Sequence, residues 1–343
     1  MDTPDPRSHI TPIPSGLDVG TRVGGLGGLG PVEPAEMLRI YGRLTEFATR
    51  EAPRPELDAG YRIAWGRGEE NGWIDLAATP GAFVVIGRHS HADLVLMRDE
   101  GVSLRHLLAT SYLLPRAGGG RPDVALRLLD LQATLPFFLD DGTARRSIVA
   151  TGPVCLRLGS YVLAAFPVQA GNLEVAGDAQ LQTSAVRDEL APPKLTSRPW
   201  RTSEIAVLPR SSEISQIMDR GGPLEPRRAR VTIERDARGT TVNVTEADLT
   251  NGVLIGRAEK CLDHGLRAML TGRISRVHLL LLADGPNVVA YDLCTMNGTR
   301  RDGERFRATT LDDAGTRLLL GSRRDGVHLR WQRTLRAEQG PYR

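Results

Sequence analysis

The sequence predicts an all-β chain built from two copies of one domain in tandem. Three observations carry this reading. Apolar residues alternate with a period of two over many short stretches. Turn residues separate those stretches, with 37 glycines and 22 prolines among 343 residues and aromatics at only 5%, a mix that favours short strands joined by turns. The same landmarks also recur in the same order in both halves of the chain.

Composition narrows the class. A length of 343 residues suits about two domains of roughly 150 residues each, and each can bury its own core. The net charge of +3 is too small to make nucleic acid the expected partner. Among 44 basic residues only Lys194 and Lys260 are lysines. This arginine excess fits GC-rich bacterial coding, and it also fits recognition of oxyanions by guanidinium forks. Cys155, Cys261 and Cys294 are odd in number and widely spaced, so neither a disulfide framework nor a zinc site is expected, and a reducing cytoplasmic compartment is. The N-terminus lacks the apolar core of a secretory signal. The longest apolar runs, such as Val277 to Ala283, are of strand length, so no membrane association is expected.

In order along the chain, residues 1–34 read as a disordered tail. Gly25-Leu26-Gly27-Gly28-Leu29-Gly30 fits GxGxxG, yet no strand precedes it and Pro31 follows, which removes the context a phosphate loop needs. Residues 35–52 read as an amphipathic helix, with Met37, Tyr41, Leu44 and Ala48 at helical spacing. Pro34 suits its first turn and Pro53 stops it. The stripe is expected to pack on a neighbouring domain. Residues 57–168 form the first β domain, with strands over Tyr61–Trp65, Trp73–Ala77 and Phe83–Gly87. Residues 169–226, with Ala191-Pro192-Pro193 and Gly221-Gly222-Pro223, read as a linker holding one short helix near Ser212–Met218. The two-residue period returns over 228–333.

The repeat is explicit. Val85-Ile86-Gly87-Arg88, Ser103-Leu104-Arg105-His106, Asp130-Leu131 and Leu158-Gly159-Ser160 correspond to Leu254-Ile255-Gly256-Arg257, Ser275-Arg276-Val277-His278, Asp292-Leu293 and Leu320-Gly321-Ser322. From the aspartate to the closing glycine both copies count 29 residues, and the histidine-to-aspartate spacing is 24 against 14. The longer spacing holds a Gly/Pro-rich hairpin insertion over Pro115 to Asp123.

The second copy resembles the forkhead-associated (FHA) domain. The resemblance covers about residues 228–333. It rests on Gly256-Arg257, on Ser275-Arg276-Val277-His278, and on Asp292-Leu293-Cys294-Thr295-Met296-Asn297-Gly298-Thr299. It implies an 11-stranded β-sandwich whose loops at one end bind phosphothreonine peptides. The residues suit that task. A phosphothreonine carries about −1.5 to −2 charge and three strong acceptor oxygens, and holding it takes a fixed guanidinium, a hydroxyl and aimed N–H groups. The resemblance implies that Arg257, Ser275 and Arg276 contact phosphate, that Thr295 and Asn297 contact the peptide, and that Gly256, His278 and Gly298 shape the loops. The bland alternatives are a surface ion pair for Arg257 and a turn serine for Ser275; His278 reads as a buried brace. Met296 departs from the family, which usually places a threonine there and a serine at the position of Thr295, so one hydroxyl is lost at Met296.

The first copy keeps Gly87-Arg88 and Ser103-x-x-His106. Leu104 takes the place of Arg276, and Arg105 is displaced by one position. Pro136-Phe137-Phe138 takes the Asn-Gly-Thr slot, where proline cannot reproduce an Asn-Gly turn. A structural role is expected for this copy: docking to the second, self-association, or binding an unphosphorylated protein surface.

No nucleophile elbow, Walker or kinase motif is present, and His89-Ser90-His91 lacks companions at metal spacing. The chain is expected to be a non-enzymatic adaptor in Ser/Thr kinase signalling, without cofactor or metal, whose partner is a phosphothreonine-containing protein such as a kinase or its substrate. The alternative is a phosphorylation-independent scaffold using both sandwiches. Thr3-Pro4 and Thr11-Pro12 suggest that a phosphorylated tail docks into the second copy.

Overall fold

The computed structural model describes residues 34–50, 57–115, 121–140, 142–169, 172–173, 206–207, 227–236, 238–261, 264–270 and 272–333. The expected tail apart from Pro34, with Thr3 and Thr11, most of the expected linker, and the expected helix at Ser212–Met218 lie outside these residues.

The chain is all-β with short helices. Helix α1 (Pro34–Arg50) precedes strands β1 (Ala59–Arg67), β2 (Glu70–Ala77), β3 (Phe83–Gly87), β4 (Leu94–Val95), β5 (Leu107–Leu114), β6 (Asp123–Asp130), β7 (Phe137–Leu139), β8 (Ala144–Arg145), β9 (Ser147–Thr151), β10 (Val154–Leu158), β11 (Tyr161–Gln169), β12 (Asn172–Leu173) and β13 (Ala206–Val207). There follow β14 (Arg227–Arg235), β15 (Arg238–Thr245), α2 (Glu246–Asn251), β16 (Val253–Ile255), α3 (His264–Met269), β17 (Leu279–Asp284), β18 (Asn287–Asp292), β19 (Thr299–Arg301), β20 (Glu304–Phe306), β21 (Ala308–Leu311), β22 (Thr316–Leu320) and β23 (Val327–Arg333). Ala59–Gln169 thus holds eleven strands, and Arg227–Arg333 holds ten among its described residues.

Contacts group these elements into two compact units. The first takes the described residues up to Thr79, Leu96–Ser103, and those between Ala109 and Ala206; the second takes Pro80–Val95, Leu104–Leu108 and those from Val207 onward.

In the first unit one sheet runs β2-β1-β11-β10-β7-β8. Alternation along β1 sends Tyr61 and Arg62 to opposite faces. On one face α1 covers the sheet: Met37, Ile40, Tyr41, Leu44 and Ala48 bury against Ala64, Cys155, Val162, Ala164 and Phe166. The apolar stripe of α1 therefore packs on the first β region. Arg62 fastens the end of the helix. It is fully buried, and it forks onto Asp75 at 2.8 and 3.0 Å. It also donates to the Ala48 carbonyl at 2.8 Å and lies 3.9 Å above the Trp73 ring. That carbonyl belongs to the last turn of α1, where helical partners run out. On the other face the Tyr61 hydroxyl reaches the carbonyls of Val124, Ala150 and Gly152.

In the second unit a six-stranded sheet, β15-β14-β23-β22-β19-β20, faces a four-stranded one, β16-β17-β18-β21. Alternate residues from both close a single core. Ala229, Val231, Ile233, Leu318, Leu320, Val327, Leu329 and Trp331 come from the larger sheet, and Val253, Ile255, Leu279, Leu281, Val288, Ala290 and Leu311 from the smaller. This is a β-sandwich. The smaller sheet is buried on its other face too, through Leu254, Leu280, Leu282, Val289 and Tyr291, which explains the unbroken apolar run in β17. Phe83 meets Tyr291 there edge-on, with ring centroids 5.0 Å apart. Helix α2 starts at a capping box in which Thr245 and Asp248 satisfy each other's backbone N–H.

Candidate functional site

Three loops of the second unit converge at one end of its sandwich. The first follows β16. Ile255 is anchored in the core, and Gly256 comes next because nothing larger fits: a Cβ there would sit 2.3 Å from the Arg276 carbonyl oxygen. The second loop, 272–278, is knitted to the first by backbone bonds. Arg257 N donates to Ser275 O at 3.3 Å, Ala258 N to Arg276 O at 2.8 Å, and His278 N to Ile255 O at 2.8 Å.

This lattice aims the side chains. Arg257 is exposed and its Nε donates to the Ile274 carbonyl at 2.5 Å, which tethers the guanidinium to the second loop. Ser275 is half-buried and Arg276 exposed. The Ser275 N–H donates to Nδ1 of His278 at 3.2 Å. His278 is fully buried. Burial pushes its pKa down to about 4 despite the attraction of Asp292, so it is a neutral brace, not a proton-transfer group.

The third loop, 293–298, is built around Asp292. Its carboxylate accepts the Thr295 N–H at 2.8 Å, the Thr295 hydroxyl at 2.8 Å and the Thr299 hydroxyl at 2.7 Å. Thr295 passes the arrangement on by accepting the Gly298 N–H at 3.1 Å. Gly298 has φ +72°, a left-handed conformation that glycine adopts without penalty. Asn297 is exposed, and its amide donates to the Arg273 carbonyl at 2.9 Å, tying the third loop to the second.

The structure thus brings Arg257, Ser275, Arg276 and Asn297 onto one loop end, with Gly256, His278 and Gly298 beneath them. One expectation needs correction. Thr295 is 0% exposed and its hydroxyl is committed to Asp292, so it frames the loop and does not face a peptide. Met296, beside it, is 70% exposed. Sequence reasoning missed two supporting arginines: Arg305 donates to the Thr295 carbonyl at 2.6 Å, and Arg300 to the carbonyls of Asn297 and Gly321 at 3.1 and 2.8 Å. In a chain so rich in arginine nothing marked them out. The Asp292-x-x-Thr295 turn was legible as side-chain-to-backbone capping and was noted only as a landmark.

The same bonds recur between residues 86 and 146. His89 N donates to Leu104 O at 2.9 Å, His106 N to Ile86 O at 2.8 Å, and Asp130 N to Arg146 O at 2.7 Å, as Asp292 N does to Arg307 O at 2.7 Å. Ala133 N caps on Asp130 at 2.6 Å, and Gln132 at φ +54° mirrors Cys294 at φ +55°. This register aligns Asn297-Gly298-Thr299 with Leu135-Pro136-Phe137, one residue earlier than the sequence comparison placed it. β7 then opens at Phe137 as β19 opens at Thr299. Proline therefore stands where the other copy needs a positive φ, which its ring forbids. Leu104 and Leu135, at the positions of Arg276 and Asn297, are 43% and 45% exposed. His89 and His91 form a turn, with the His91 N–H donating to His89 Nδ1 at 3.1 Å.

No helix among the described residues is long and apolar enough to cross a membrane, and none of their His, Cys, Asp and Glu side chains form a group of three able to hold a metal ion. No protein-family model matches the chain, and no curated protein does. Solved structures do. The chain is similar to the first FHA domain of Rv1747 from Mycobacterium tuberculosis, at 22% identity over 31% of this chain and 97% of that one, with a TM-score of 0.24. It is similar to the FHA domain of FhaA complexed with the intracellular domain of Rv3910, at 20% identity over 30% and 98%, with a TM-score of 0.23. It is also similar to the FHA domain of yeast Dun1 in complex with a doubly phosphorylated peptide, at 13% identity over 44% and 96%, with a TM-score of 0.28.

Proposed function

We propose that the second unit is a phosphothreonine-peptide reader of the FHA type, and that the chain is an adaptor in Ser/Thr kinase signalling. One observation carries the reading. The outer nitrogens of Arg257, the Ser275 hydroxyl and the Arg276 guanidinium have no protein partner among the described residues, while the backbone N–H groups of Arg257, Ala258, Ser275 and His278 and the Asn297 amide are bonded. Two positive charges and a hydroxyl, held on knitted loops and left unpaired, suit an anion with several acceptor oxygens. Asn297 stands at the rim, where it can meet the main chain of a peptide.

Fluorescence polarisation with phosphothreonine peptides tests this on the intact chain, with unphosphorylated and phosphoserine peptides as controls. Arg257→Ala removes a charge-assisted contact, so affinity is expected to fall about 10- to 150-fold, while Arg88→Ala leaves it unchanged. Absence of phosphate-dependent binding by the wild type overturns the reading. A second reading, a phosphorylation-independent scaffold using both sandwiches, is favoured by the exposed Leu104, and it predicts capture of unphosphorylated partners that Leu104→Asp weakens.

A further inference from the structure

Arg105 is an anomaly. By the shared register it occupies the position of Val277, a buried apolar residue in the other copy. Relative to Arg276 it is shifted by one residue, and on an extended chain a one-residue shift turns a side chain to the opposite face. Arg105 is accordingly 7% exposed. A buried guanidinium persists only where its donors are satisfied. Its Nε donates to the Leu293 carbonyl, and its Nη2 donates to the Cys294 carbonyl at 2.9 Å.

Those two carbonyls belong to the back of the loop that carries Asn297. Cys294 lies between the Asp292 hub and Thr295, and its φ of +55° is uncommon for a residue with a side chain. Other contacts from the Pro80–Val95 segment meet the same strand ends. Asp93 accepts from Arg307 at 2.7 Å, from the Val85 N–H at 2.8 Å and from the Cys294 thiol at 3.6 Å. The Arg307 carbonyl in turn receives the Asp292 N–H at 2.7 Å. All of this backing sits on residues 291–294 and 307. Among the described residues none of it bonds Arg257 or Ser275.

We infer that Arg105 is a positioning residue for the Asn297 side of the phosphopeptide site: the arginine that the first copy no longer presents to solvent holds the second copy's recognition loop from behind. The inference rests on the proposed reading of that site. It divides the site into a phosphate half, Arg257, Ser275 and Arg276, to which Arg105 makes no hydrogen bond among the described residues, and a peptide half, Asn297, whose loop it does bond.

Arg105→Met keeps most of the stem and removes the guanidinium. Two measurements on the full chain test it. In the ligand-free protein, amide hydrogen exchange at Thr295 and Gly298 is expected to accelerate while the Ser275 amide is unchanged. In binding, affinity for a phosphothreonine peptide is expected to fall about five- to tenfold, with competition by free phosphothreonine unchanged. In an Asn297→Ala background the same substitution is expected to cost nothing more, since it acts through Asn297; a merely structural loss would add. Arg105→Lys, which retains one donor group, is expected to be intermediate, and it carries the same tests if the Met variant does not fold. Unchanged exchange at Thr295 and Gly298, equal weakening of free phosphothreonine, or full additivity with Asn297→Ala overturns the inference. A wild type that binds no phosphopeptide overturns the function instead, and the exchange measurement still decides the positioning role.

Discussion

His278 holds its place only while it is neutral. Its Nδ1 accepts the Ser275 N–H, and a protonated ring would turn that acceptor into a donor facing a donor. Burial pushes the pKa down to about 4, with Arg105 and Arg305 acting in the same direction and Asp292 and the Gly298 backbone against it. An unfolded histidine titrates at about 6.5. Between those values the unfolded chain binds more protons, so stability falls as pH drops from about 7 towards 4 and levels off below. With these two values the loss between pH 7 and pH 5 is about 2 kcal/mol. His278→Phe keeps a ring in the cavity and removes the titrating site. At pH 7 it is expected to cost about 1–3 kcal/mol, because the Ser275 N–H loses its acceptor. Urea unfolding of both proteins at pH 7 and pH 5 is then expected to show the variant losing about 2 kcal/mol less across the interval. His89 and His328 are also lowered by burial, but they titrate in both proteins and cancel in the difference. An equal pH-dependent loss in the two proteins refutes a buried neutral His278.

Arg62→Ala leaves Asp75 buried and unpaired and frees the Ala48 carbonyl. Breaking a buried pair costs about 3–5 kcal/mol, which lowers the melting temperature of the first unit by roughly 6–20 °C; a calorimetric shift under about 2 °C would contradict the clamp. Gly256→Val drives a side chain into the Arg276 backbone, 2.3 Å from an ideal Cβ, and forces the first two loops apart. Phosphopeptide affinity is expected to fall about tenfold or more, with the far-ultraviolet circular dichroism retained, and undiminished affinity would show that the two loops need not touch.

The elements that repeated themselves were the legible ones. Period-two alternation located β1 and β3 within two residues and β2 within three, because each strand has a core-facing side that must be apolar. Helical spacing located α1 for the same reason. The convergence of the first two loops was legible because Gly256-Arg257 and Ser275-x-x-His278 sit at spacings set by backbone bonds between them. Thr295 was misread because a hydroxyl in a loop can face outward or cap its neighbour's carboxylate, and only the partner three residues back decides which. The Asn-Gly-Thr slot of the first copy was misplaced by one residue because its anchor, the capping of Ala133 on Asp130, runs through a backbone N–H. Such a bond leaves no mark on the identity of residue 133.

The two copies show which parts of the design are separable. Backbone bonds at 86–106 and 255–278, caps on Asp130 and Asp292, and left-handed residues at 132 and 294 are held in common. They involve main chain, buried histidine and buried aspartate, whose loss would strand polar groups inside the fold. What differs faces outward: Leu104 for Arg276, Leu135 for Asn297, Pro136 for Gly298. Changing these leaves few buried groups unsatisfied, so the outward positions can differ while the scaffold is kept. Arg105 belongs to neither class. It entered a buried position and is accommodated because two loop carbonyls were there to receive it. The loop that receives it also carries Asn297, so Arg105→Met asks whether a residue buried in this way sets the geometry of that loop.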